Sequence, residues 1–181
     1  MKFNHLEIEN ACIITPELYR DERGVFRRHF CVQEYAENGL EVDVMQGNIS
    51  ENPLIHTLRG FHFQSGDDGE AKTISCITGS IYNIIVDIRK HSKTYRQWVS
   101  LEISSENRKS IYVPSGCANA YLTMSEDTIV HYYMSKKYSA NSYMGFNYND
   151  TSFGFQWPCS PRLISEKDRN LPMFATITEE D

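Results

Sequence analysis

The middle of the chain alternates between apolar and polar positions. Residues 73–78 (TISCIT) and 81–88 (IYNIIVDI) are rich in Ile, Val, Thr and Tyr, which fit a pleated, half-buried surface. They flank Gly79-Ser80, so the pattern predicts a hairpin with a Gly-initiated two-residue turn. Similar runs follow at 97–103 (QWVSLEI), 110–113 (SIYV), 117–124 (CANAYLTM) and 128–134 (TIVHYYM). Polar turns at Ser105-Glu106-Asn107 and Ser125-Glu126-Asp127, and a break at Pro114-Ser115-Gly116, separate them. Short strands at this spacing predict an all-β sandwich or barrel. Helical patterning is confined to 31–38 (CVQEYAEN), ending before Gly39, and to a turn near Glu166–Arg169. Pro158, Pro161 and Pro172 predict loops through 159–174, and the chain is expected to fray from Ala175 to Asp181.

Length and composition narrow the class. The chain has 181 residues with no repeat, low-complexity tract or linker, which predicts one domain over 1–181. Hydrophobic residues make up 40%, enough for a sizeable core. The net charge of −6 argues against nucleic-acid binding, which needs a broad basic face. It leaves room for a phosphate-bearing small molecule, which needs only a few placed cations. No run approaches the ~18 apolar residues of a membrane span. The N-terminal stretch has no apolar signal-peptide core, so a cytoplasmic location is expected. Five cysteines, odd in number and widely spaced, predict free thiols in a reducing compartment.

Three segments carry more. Asp21-Glu22-Arg23-Gly24-Val25-Phe26, Leu58-Arg59-Gly60-Phe61-His62-Phe63-Gln64 and Ser165-Glu166-Lys167-Asp168-Arg169 occur in this order. With VDIRKHSKTYRQW at 86–98, YVPSGCANAYL at 112–122 and Trp157-Pro158, they resemble the dTDP-4-dehydrorhamnose 3,5-epimerases and related nucleotide-sugar epimerases nearly end to end. The resemblance implies a cupin-like jelly roll (double-stranded β-helix) with a few short helices. It also implies a nucleotide-diphosphate 4-keto sugar as substrate, and a homodimer that exchanges N-terminal strands within 1–30, segment 6–15 among them.

Epimerisation beside a ketone needs a base, a group that stabilises charge on the ketone oxygen, and an acid on the opposite face. The resemblance assigns these to His62 as base with Asp168 as its partner, Lys72 near the C4 oxygen, and Tyr132 as acid. Taken alone, each also reads as structural: a core histidine, a turn carboxylate, a strand-edge cation and one of 11 tyrosines. Tyr132 and Tyr133 are adjacent and point to opposite faces of a strand, and the resemblance selects Tyr132. Arg23 and Arg59 match diphosphate-binding arginines, whose fork suits phosphate oxygens. Phe26, Gln46, Asn48, Asn119 and Tyr138 fall on pocket positions.

Three positions depart from the family pattern. Asn119 replaces a common second histidine, Arg28 a glutamate, and Tyr143 an acidic residue. They are read as clustering in the pocket and as altering substrate or regiochemistry. Epimerisation at C3 alone on a CDP- or GDP-linked sugar is therefore an alternative, as are a cupin-type 3,4-ketoisomerase and a non-catalytic sugar-binding jelly roll. A metal-dependent cupin would need an H-x-H ligand pair, where this chain has His62-Phe63-Gln64. No metal and no cofactor are expected, and no nucleotide-binding glycine motif is present.

Overall fold

A computed structural model describes residues 1–178. The chain begins with β1 (Lys2–His5) and β2 (Cys12–Thr15), then a separate ribbon of β3 (Leu18–Asp21) and β4 (Gly24–Arg27), then helix α1 (Val32–Glu37). The body is β5 (Gln46–Asn52), β6 (Thr57–Gln64), β7 (Lys72–Thr78), β8 (Ser80–Asp87), β9 (Trp98–Ser104), β10 (Ser110–Val113), β11 (Cys117–Thr123) and β12 (Thr128–Met134). Short elements follow: β13 (Tyr143–Gly145), β14 (Leu163–Ile164), α2 (Glu166–Arg169) and α3 (Phe174–Thr178). Two six-stranded sheets result. One runs β1-β2-β10-β7-β12-β5; the other runs β13-β6-β11-β8-β9, with β14 parallel to β6. This is the all-β jelly-roll arrangement expected.

The strands fall where alternation places them, but β7 and β8 do not form a hairpin. β7 pairs with β10 and β12, whereas β8 pairs with β11 and β9 in the other sheet. Gly79, at φ +76°, turns the chain from one sheet into the other. A Cβ there would overlap the hydroxyls of Ser125 and Thr128. Both strands are buried along most of their length, so each takes its neighbours from its own sheet.

Three apolar layers stack across the molecule. Ile74, Cys76, Ile81, Ile85, Ile111 and Val130 fill the space between the sheets. Tyr35 of α1 covers the outer face of the first sheet, against Cys12, Ile14 and Tyr112. The outer face of the second sheet is covered by the C-terminal segment. There Phe61 is fully buried and stacks on Phe146 at 4.7 Å and Phe155 at 4.5 Å. Burying such a ring contributes about 2–3 kcal/mol and pins β6 to the C-terminal segment. Residues 174–178 belong to this cover as α3, with Phe174 and Ile177 buried, where the sequence suggested fraying from Ala175. Residues 179–181 of that tail lie outside the described residues.

The N-terminal segment 6–15 is not one strand. Residues 6–11 turn around fully buried Ile8, and β2 begins at Cys12, pairing with β1 and β10 of the same chain. β1 is the edge of its sheet.

Candidate active site

β6 carries an irregularity that builds the site. Across β11, Asn119 pairs with His62 and Tyr121 with Arg59, so three steps on β6 oppose two on β11. The extra residue lies at Gly60-Phe61. In a regular strand Arg59 and His62 would face opposite sides. Here both point between the sheets, while Phe61 and Phe63 point into the outer layer. Gly60, at φ +114°, makes this possible: a Cβ would come within 2.6 Å of the Ala120 Cα.

The bulge also frees the Gly60 N–H, which donates to Asp168 Oδ2 at 3.2 Å. Asp168 Oδ1 accepts from His62 Nε2 at 2.7 Å. Asp168 sits on α2, whose start is capped by Ser165 Oγ accepting the Asp168 N–H at 3.0 Å. Burial alone would raise the Asp168 carboxyl. The His62 hydrogen bond and charge, the Gly60 N–H and Lys167 hold it below its ordinary value. Asp168 is thus a buried carboxylate, and with Nε2–H given to it, Nδ1 is the basic nitrogen of His62.

His62 opens onto a cavity of about 470 Å³ between the sheets. Of the residues predicted for the site, Gln46, Asn48, Arg59, Lys72, Asn119, Tyr132 and Tyr138 line this same cavity. Tyr132 lies on β12, in the sheet opposite His62, and burial raises its phenol above the ordinary value. Tyr133 turns the other way, against His29, Phe30 and His131. Lys72 enters from the start of β7. Gln46 is tied to Asn48 at 2.9 Å and to the Tyr138 N–H at 3.0 Å. Arg59 Nε donates to Asn52 at 2.8 Å, which aims the guanidinium along β5.

Arg23 and Phe26 are elsewhere. They lie on the β3–β4 ribbon, outside the cavity lining. Phe26 is 72% exposed, and among the described residues Arg23 pairs only with neighbouring Asp21 at 2.5 Å. Arg28 also lies away from the cavity, paired with Glu34 of α1 at 2.7 Å. The three departures therefore do not cluster: Asn119 and Tyr143 line the cavity, and Arg28 does not. The cause is the ribbon, which leads the chain off both sheets before α1.

Several cavity residues were not read as site residues. The Tyr143 ring packs on that of His62 at 5.1 Å, and the Lys167 ammonium sits 4.0 Å over the same Tyr143 ring. Glu70 reaches the cavity wall beside Lys72. Its spacing two before Lys72 puts it on the same side of an extended segment, a signal present in the sequence. Tyr121, hydrogen-bonded to Ser50 at 3.0 Å, follows from β11 alternation with Asn119. Among the described residues, no three His, Cys, Asp or Glu side chains converge as metal ligands would, and no helix is long and apolar enough to cross a membrane.

Residues 5–176 match the family model described as dTDP-4-dehydrorhamnose 3,5-epimerase. The dTDP-4-dehydrorhamnose 3,5-epimerase of Methanothermobacter thermautotrophicus is 38% identical over 172 residues, covering 93% of this chain and 92% of that one. A crystal structure of the Bacillus anthracis dTDP-4-dehydrorhamnose 3,5-epimerase with TDP and PPi bound superposes with a TM-score of 0.92 at 33% identity. It covers 96% of this chain and 99% of its own. The Legionella pneumophila dTDP-6-deoxy-D-glucose-3,5-epimerase, solved with dTDP-4-keto-L-rhamnose, gives a TM-score of 0.93 at 30% identity, covering 99% and 95%. A jelly roll with a His–Asp pair facing a tyrosine across a cavity thus agrees with a sequence match along almost the whole chain: it belongs to the dTDP-4-dehydrorhamnose 3,5-epimerase family of carbohydrate epimerases.

Proposed function

We propose that the protein epimerises a dTDP-linked 4-keto-6-deoxyhexose at C3 and C5, in deoxysugar and O-antigen-type polysaccharide synthesis. The observation that carries this reading is the 2.7 Å His62–Asp168 pair opening onto a cavity shared with Lys72 and Tyr132. His62 Nδ1 removes the proton α to the ketone, and Asp168 stabilises the imidazolium that forms. Lys72 offers its ammonium to the charge that develops on the C4 oxygen. Tyr132 returns a proton to the opposite face of the sugar and is itself re-protonated from solvent, while the His62 imidazolium releases its proton to solvent. Its place on the sheet facing β6 supports that direction of delivery. Deprotonation and reprotonation leave the oxidation level unchanged, so the chemistry calls for no cofactor.

Arg59 binds the diphosphate, and Gln46, Asn48, Asn119 and Tyr138 shape the sugar and nucleotide pocket. Arg23 and Phe26 join them from a second copy in this reading, since neither lines the cavity of its own chain and Phe26 is exposed. The active form in this reading is a cytoplasmic homodimer in which each β3–β4 ribbon completes the other subunit's site. The exposed Tyr19, Val25 and Phe26 on that ribbon support it, since an apolar surface of this kind gains from burial.

The test is deuterium entry. Incubated with dTDP-4-keto-6-deoxyglucose in D₂O, the protein is expected to place deuterium at C3 and C5, followed by NMR. Entry at C3 alone would reassign it as a 3-epimerase. No entry with dTDP-, CDP- or GDP-linked substrates would overturn the reading. His62→Ala is expected to abolish exchange, and Tyr132→Phe to retain some exchange while impairing net inversion.

A further inference from the structure

Glu70 is a buried carboxylate in the cavity wall that the mechanism above leaves unused. Its side chain is 3% exposed. Oε1 lies 2.9 Å from Lys72 Nζ, and Oε2 accepts the Gln64 N–H at 3.0 Å. The carboxylate is therefore held at both oxygens, by the ammonium and by the backbone of β6. Lys72 in turn has three contacts: Glu70, the His62 carbonyl at 3.2 Å and Asn119 Oδ1 at 3.3 Å. The last two are hydrogen bonds and the first is an ion pair, so protein oxygens surround the ammonium. A substrate oxygen that reaches it displaces the most weakly held of them. The Glu70 contact is the shortest and joins opposite charges, so it is the strongest. The Asn119 amide is neutral and its contact is the longest.

We propose that Glu70 is a positioning residue for the epimerisation, anchoring the Lys72 ammonium while the Asn119 amide holds the place that the substrate ketone oxygen takes. This rests on the reading of Lys72 as the group that meets the C4 oxygen. It gives Asn119 a use that needs no proton transfer: a neutral acceptor occupies one donor position of the ammonium and yields it. The Asn119 side chain also lies 3.3 Å from that of Asn83, which keeps the amide in contact when it leaves the ammonium. Burial and, with it, the charge of Glu70 raise the Tyr132 phenol against the opposite pull of Arg59. A negative Glu70 thus also favours the protonated form of the proposed acid.

A double-mutant cycle tests this, read as deuterium entry per mole of folded protein, with folding checked by circular dichroism. The variants are Glu70→Gln, Lys72→Met and both together. Gln keeps the shape and can still accept the Gln64 N–H, but it loses the charge that pairs with the Lys72 ammonium. Glu70→Gln is expected to lower kcat about 10- to 100-fold, the scale of a misplaced catalytic group, with KM within about threefold. The double variant is expected to be no slower than Lys72→Met, because Glu70 acts through Lys72. Additive losses would show a separate structural effect of Glu70 and overturn the proposal. Glu70→Gln with kcat within twofold of wild type, while Lys72→Met is impaired, would overturn it as well. Full activity in Lys72→Met would instead remove Lys72 from the mechanism, and the Glu70 proposal with it.

Discussion

Replacing Asp168 by Asn isolates what the carboxylate does for His62. The two side chains have nearly the same shape, and Asp168 is buried, so packing changes little. Hydrogen bonding changes more. Asp168 accepts twice, from His62 Nε2 at 2.7 Å and from Gly60 N–H at 3.2 Å. An amide can accept with only one end. If its oxygen stays on His62, its NH₂ opposes the Gly60 N–H and leaves buried donors unpaired, at a cost of about 1–3 kcal/mol. If it flips, every donor finds an acceptor, but the NH₂ now donates to Nε2. The flipped form wins, and the proton is forced onto Nδ1, where the base's lone pair is needed. The variant also loses the charge that stabilises the imidazolium. The comparable Asp-to-Asn change in a serine hydrolase triad costs about ten-thousand-fold in kcat. A loss of about a thousand- to ten-thousand-fold is expected here, about 4–5 kcal/mol in the barrier. Deuterium entry at C3 and C5 measures the loss, and ¹⁵N chemical shifts of His62 report which nitrogen carries the proton. Activity within tenfold of wild type would refute the reasoning. So would a lost activity with the lone pair still on Nδ1.

The shared-site reading predicts complementation: His62→Ala and Arg23→Ala, each inactive alone, regain about a quarter of wild-type activity when unfolded and refolded together, because half the dimers are mixed and each has one intact site. No recovery would place Arg23 in its own subunit's chemistry or in none. Asp87 sets an acid limit. Burial would raise its carboxyl, but Arg89, Ser92 and Thr94 donate to it and hold it at about 2. A depressed carboxyl stabilises the fold above the unfolded value of about 3.9, and that contribution disappears as pH falls toward the folded value. In urea titrations, wild type is expected to exceed Asp87→Asn by about 2 kcal/mol at pH 7, with the gap closing between about pH 4 and 2. A gap that does not change with pH would show that its hydrogen bonds matter without its charge.

The β7, β8, β10, β11 and β12 strands were legible because their Ile, Val and Tyr positions alternate. Their partners were not, since Gly79 can serve either a hairpin or a crossing between sheets. β5 escaped notice because QGNISEN carries only one β-branched apolar residue and is half exposed along its length. Within the site, the family resemblance carried by the ordered segments pointed to His62, Asp168, Lys72 and Tyr132, and the cavity or its immediate wall holds all four. Glu70 was missed because its spacing from Lys72 gains weight only once its burial is seen. Arg23 and Phe26 were read beside Arg59, although a ribbon's direction depends on tertiary packing rather than on local pattern.

The extra residue in β6 makes that strand intolerant of any change in length. Deleting one residue between Arg59 and His62 would leave the two still on one face of a regular strand, but would remove the Gly60 N–H that holds Asp168 or the Phe61 ring that pins the C-terminal segment. Inserting one beside the bulge would turn one of the two into the phenylalanine layer behind the sheet. Point substitutions can tune this pocket, but an insertion between Arg59 and His62 would separate the proposed base from the proposed phosphate ligand in a single step, and a deletion there would remove a support of the His62–Asp168 pair or of the C-terminal cover. Length variation among functional descendants of this chain should therefore collect in its loops and termini, with the count from Arg59 to His62 unchanged.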